Sequence, residues 1–74
     1  MSDYAIAFSF EDGSSKFYTG KAGVDYLSDR IEDAFFAYSI DGVRRIGSKM
    51  YVAGKVGCLA VHWKGYTIEI DNKG

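Results

Sequence analysis

The sequence predicts an α+β fold: one curved antiparallel sheet with a single amphipathic helix packed on one face, in the order β-β-α-β-β-β-β. Three observations carry this. Residues 4–10 alternate with a period of two, residues 24–38 place apolar side chains at steps of three and four, and the rest reads as short apolar runs broken at glycine. One helix cannot cover two sheets, so a single sheet with one covered face is expected.

Tyr4, Ile6, Phe8 and Phe10 point one way along the first strand, and Ala5, Ala7 and Ser9 the other. Asp12-Gly13 suits a two-residue hairpin loop, because both residues tolerate positive φ. That loop would set Phe8 opposite Phe17 and Ile6 opposite Thr19 on a second strand at 15–19. After the glycines at 20 and 23, the positions Val24, Leu27, Ile31, Ala34, Phe35 and Tyr38 form one face of a helix. Asp25, Asp29, Arg30, Glu32 and Asp33 occupy the other face. Asp41-Gly42 ends the segment. Short strands are expected at 43–46 and 49–53. A second hairpin is expected from 58–63 and 66–70 around Lys64-Gly65, with Trp63 opposite Tyr66, Val61 opposite Ile68 and Leu59 opposite Ile70.

A chain of 74 residues is expected to form one compact domain without a linker. It holds one cysteine, Cys58, and one histidine, His62, too few for an internal disulfide or a four-ligand zinc site. Apolar packing must therefore hold it together, and 16% aromatic content supplies large rings for the purpose. No apolar run approaches the ~20 residues of a membrane span. The first residues lack the pattern of a secretory signal, so a cytoplasmic location is expected.

No residue pattern fixes a chemistry. On one strand, Cys58 and His62 would stand ~13 Å apart, too far for a thiol–imidazole pair. His62 is expected to face solvent beside Thr67, and Cys58 to lie on a sheet face as a small apolar residue. The glycines lack the spacing of a phosphate-binding loop. No enzyme activity, cofactor or metal is expected.

The charges divide unevenly. Residues 1–41 hold eight acids and three bases, and residues 42–74 hold six bases and two acids. An acidic and a basic face follow. The favoured reading is a non-enzymatic protein-binding module, an inhibitor or regulator of the kind bacteriophages also encode. Asp25, Asp29, Glu32 and Asp33 on the helix would meet a basic partner surface. The alternative is a nucleic-acid module. There Arg44, Arg45, Lys49 and Lys55 on the C-terminal strands contact phosphates, while Tyr51, Trp63 or Tyr66 stacks on bases. Exposed strand edges and surplus aromatics in the first hairpin also suggest a homodimer.

Overall fold

The computed structural model describes residues 2–72. Strands β1 (Tyr4–Phe10) and β2 (Ser15–Tyr18) are followed by a 3-10 turn at Gly23–Tyr26 and the two-residue strand β3 (Leu27–Ser28). A second 3-10 turn at Ile31–Asp33 leads to β4 (Phe36–Ala37), helix α1 (Ile40–Gly47), β5 (Lys55–His62) and β6 (Thr67–Asn72). The strands form one antiparallel sheet in the order β3-β2-β1-β5-β6, with β4 pairing β1 alongside β2. The fold is α+β with one helix on one face of an open sheet, as the sequence predicts. The helix, however, comes from a different part of the chain.

Residues 24–38 do not form the expected helix, because sheet and side-chain hydrogen bonds take their backbone groups. Ser28 and Leu27 pair with Phe17 and Tyr18, and Phe36 and Ala37 pair with Ala5 and Tyr4. Phe35 N–H donates to Tyr18 O at 2.8 Å, and Thr19 N–H to Tyr26 O at 3.0 Å. Ser28 Oγ accepts from Arg30 N–H at 3.1 Å and donates to Asp33 Oδ2 at 2.9 Å. Such local bonds offer the chain an alternative to the helical ladder.

The helix lies instead at 40–47, where a strand is expected at 43–46. Ser39 is its N-cap, in extended conformation, and its hydroxyl accepts Gly42 N–H at 3.2 Å. A cap of this kind contributes about 1 kcal/mol. Asp41 sits in the first turn and Arg44 in the last, bridged at 2.9 Å, with both charges favourable to the helix dipole. Ile40, Val43, Ile46 and Gly47 mark the face turned to the sheet. Eight residues are too few to form a helix alone, so this packing decides. The expected strand at 49–53 is a loop. Lys55 Nζ holds it by donating to Met50 O at 2.8 Å and Gly47 O at 3.3 Å.

Both hairpins turn on three residues rather than two. In the first, Phe10 N–H donates to Ser14 O and Gly13 N–H to Phe10 O, each at 3.0 Å. In the second, His62 N–H donates to Tyr66 O and Gly65 N–H to His62 O, each at 2.8 Å. Gly13 (φ 89°) and Gly65 (φ 107°) take the left-handed position at the third loop residue. The extra loop residue shifts each register by one. Phe8 pairs with Lys16, Ala7 with Phe17, and Leu59 with Glu69. A one-residue slip sends side chains to the other face.

The core under α1 consists of Ile6, Phe8, Ala37, Val43, Val52, Cys58 and Ala60. Tyr4, Phe10, Tyr18, Ile46, Met50, Ile68 and Ile70 pack around it. Helix and sheet meet closely where Gly47 lies on Cys58, leaving no room for a Cβ at 47.

The first loop is pinned by Asp12, whose Oδ1 accepts from the Ser14 hydroxyl at 2.6 Å and the Ser14 N–H at 2.9 Å. These bonds lower the Asp12 pKa below its ordinary 3.8. A depressed carboxylate stabilises the fold above the unfolded value, and that contribution disappears as pH falls through the folded value. Ser14→Ala should move the Asp12 titration up toward 3.8, read by NMR of the carboxyl carbon. An unmoved titration would remove Ser14 as the cause.

Candidate functional site

An antiparallel sheet with one covered face normally turns polar side chains to water on the other. This sheet does so only in part: Ser9 and Ser15 pair in a polar row, and the rows beside it are largely apolar. Cross-strand partners share a face, so the register identifies the side opposite α1. One row there runs Ser28, Phe17, Ala7, Leu59, Glu69, and the next runs Phe36, Ala5, Val61, Thr67. Ala5 and Ala7 are buried beneath the half-buried side chains of Phe17, Phe36, Leu59 and Val61. The result is a half-buried apolar platform across four strands, on the side away from α1.

Acids border this platform. Asp33 is fixed to the Ser28 hydroxyl at one end of the first row, and the exposed Glu69 stands at the other end. Arg30 lies beside Asp33, its N–H on the same Ser28 hydroxyl, and three other cations lie elsewhere. Arg44 and Arg45 are on α1, and Lys16 pairs with Phe8, so it shares the helix-covered face.

The carboxylates predicted to line a helix face lie on an irregular strip at the β3 edge. Asp29 bonds Lys16 at 2.7 Å, Glu32 lies 3.6 Å from Arg30, and Asp33 accepts from Ser28. Asp25 and Asp33 line a small polar depression with Thr19 and Lys21. The absence of a helix removes the shared face, but the acids still cluster at one edge.

The four predicted cations are not a strand-borne set. Arg44 and Arg45 belong to the helix, and Lys49 follows it in a turn. Arg44 is paired with Asp41. Lys55 is half-buried, anchored to two carbonyls and 5.4 Å from the Phe8 ring centroid, so it is withdrawn from any phosphate.

His62 also departs from expectation. Counting the loop at three residues turns it toward the helix side, where it is 8% exposed between Tyr4 and Tyr66. Its ring stacks on Tyr66 at 4.4 Å and meets Tyr4 edge-on at 5.0 Å. Nδ1 accepts Lys64 N–H at 3.1 Å, so the proton of the neutral ring sits on Nε2. The Tyr4 phenol is raised above its ordinary 10.0, first by its hydrogen bond with Tyr66 and then by desolvation. Trp63 also stacks on His62, at 5.4 Å, and both Trp63 and Tyr66 keep an exposed side, with Lys64 Nζ 5.3 Å from the Trp63 ring centroid. Cys58 lies in the core against Gly47. Among the described residues, no group of three or more His, Cys, Asp or Glu is placed to hold a metal ion, and no helix is long and apolar enough to cross a membrane.

The sequence reading does not single out Phe17, Phe36, Leu59 and Val61 as surface residues. A signal for them exists in β5, where Val56, Cys58, Leu59, Ala60 and Val61 put apolar side chains on both faces. Comparison with family models, curated proteins and solved structures finds no match to this chain.

Proposed function

We propose that the protein is a non-enzymatic binding module that docks on another protein through the uncovered sheet face. The observation that carries this reading is the apolar row Phe17, Ala7, Leu59, beside Phe36, Ala5, Val61, where water-facing positions should be polar. The acids at both ends of the first row favour a partner whose apolar patch is rimmed by lysine or arginine. They disfavour a second copy of this chain, since like charges would meet at the borders. Asp25, Asp29 and Glu32, beside Asp33 at the β3 edge, extend the acidic rim and steer such a partner.

The test is affinity capture from lysate at two salt concentrations, with nuclease, comparing the wild type with two variants. Phe17→Ser/Leu59→Ser removes the apolar centre, and Asp33→Lys/Glu69→Lys reverses the rim. Near-UV circular dichroism of Trp63 checks that each variant is folded. A partner held by the wild type and released by both folded variants supports the reading. Equal capture by the folded apolar variant overturns it. Capture that vanishes with nuclease would transfer the function to nucleic acid and to Arg44, Arg45 and Lys49.

A further inference from the structure

A cleft of about 540 Å³ lies between the 35–39 segment and helix α1. Its strand wall is Phe35, Phe36 and Tyr38, and its helix wall is Gly42, Arg45 and Ile46. Gly42, Arg45 and Ile46 are spaced at three and four, so they share one helix face. The volume is that of a ligand site, and the lining is mostly apolar with one cation.

Three features say what fits. First, β4 pairs with β1 only, leaving its outer edge without a strand. Ala37 O faces β1, where it accepts Asp3 N–H at 3.0 Å. Alternation along a strand therefore turns the backbone groups of Phe36 and Tyr38 to the outer edge. Second, among the described residues Arg45 is the only charged one lining the cleft, and it makes no ion pair with them. Third, the chain reverses from strand into helix at Ser39, and Ser39 and Gly42 of this turn line the cleft. Gly42 there sits so near Ala37 that an added Cβ would lie 3.3 Å from the Ala37 Cβ.

We propose that this cleft binds the C-terminal residues of a partner polypeptide by strand addition to β4, with the terminal carboxylate on Arg45. An incoming strand pairs with only about three residues, ~10 Å of chain, before it reaches the turn at Ser39. A polypeptide that must stop there is best ended by its terminus. The guanidinium offers a two-pronged bond to that carboxylate. Apolar side chains of the terminal residues rest against Phe35, Tyr38 and Ile46. Main-chain bonds supply affinity and the apolar walls supply selectivity, as in other edge-strand recognition.

The test titrates 15N-labelled protein with three synthetic pools of pentapeptides ending in Leu, Ile, Val or Phe. One pool has a free C-terminal carboxylate, one a C-terminal amide, and one a free carboxylate with an N-methylated penultimate peptide bond. The free-acid pool should shift amide resonances within 35–46, and the amide and N-methyl pools should bind at least about tenfold more weakly. Arg45→Gln should lose the preference for acid over amide while keeping an unchanged thermal midpoint, since Arg45 is exposed. Shifts lying outside 35–46, equal binding of acid and amide, equal binding of the N-methyl pool, or no shift at millimolar peptide would each overturn the proposal. The apolar variant Phe17→Ser/Leu59→Ser changes no residue that lines the cleft, so loss of lysate capture in that variant reports on the sheet face separately.

Discussion

Gly47→Ala should destabilise the fold by about 2 kcal/mol or more, although alanine in a helix ordinarily gains about 1 kcal/mol over glycine. The reversed sign comes from the close approach of α1 to the sheet. A Cβ at position 47 would fall inside van der Waals contact of Cys58 Sγ and 3.5 Å from Ile6 Cγ2. Cys58 and Ile6 are both fully buried on the central strands, so neither can step aside cheaply. The contact predicts its own rescue. With Cys58→Ala the sulfur is gone, and the added methyl occupies part of the vacated space. Gly47→Ala in that background should cost less than ~0.5 kcal/mol or stabilise, giving a coupling near 2 kcal/mol. Urea unfolding followed by Trp63 fluorescence measures both costs. An equal cost in the two backgrounds would mean that Gly47 is not the contact between helix and sheet.

The same residue shows why the helix was hidden in the sequence. Residues 24–38 carry a longer and cleaner helical spacing than residues 40–47, yet only the shorter segment coils. Helical spacing states which side chains share a face if a helix forms. It does not state who claims the backbone. Tyr18, Ala5 and Tyr4 claim the backbone of 27–37 through the sheet, and Ser28 adds its hydroxyl. At 40–47 the signals were present but local: a serine cap, an acid first, two arginines last, and a glycine small enough to lie on Cys58. The class of fold was legible because alternation in β1 and glycine at the turns survive any local misassignment. The faces of β2 and β5 were not legible. Asp12-Gly13 and Lys64-Gly65 read as two-residue loops, while in each the glycine closes a loop of three. Since β5 is apolar on both faces, its own pattern has no power to correct the count. The candidate surface was hidden by the same ambiguity, because a residue assigned to the wrong face is counted as core.

Phe8 and Phe17 test that count directly. Phe8 is fully buried under α1, and Phe8→Ala should cost about 3–5 kcal/mol through lost transfer energy and the cavity left behind. A 74-residue domain has only about 4–11 kcal/mol in total, so this variant sits near the limit of folding. Phe17 is half-buried on the uncovered face, and Phe17→Ala should cost about 1–2 kcal/mol. The two-residue loop would make the rings a cross-strand pair, and their removal would be coupled by several tenths of a kcal/mol or more. In the observed register Phe8 opposes Lys16 and Phe17 opposes Ala7, so the rings lie on opposite faces of the sheet. Their costs should then add within ~0.5 kcal/mol. If Phe8→Ala alone leaves too little folded protein, Phe8→Leu at the same site supports the same cycle. Additivity with a small cost at Phe17 is what a surface awaiting a partner requires: the ring contributes little to the isolated fold and is kept where only a second molecule can cover it. Strong coupling, or a Phe17 cost as large as that of Phe8, would return Phe17 to the core and leave the uncovered face without its central ring.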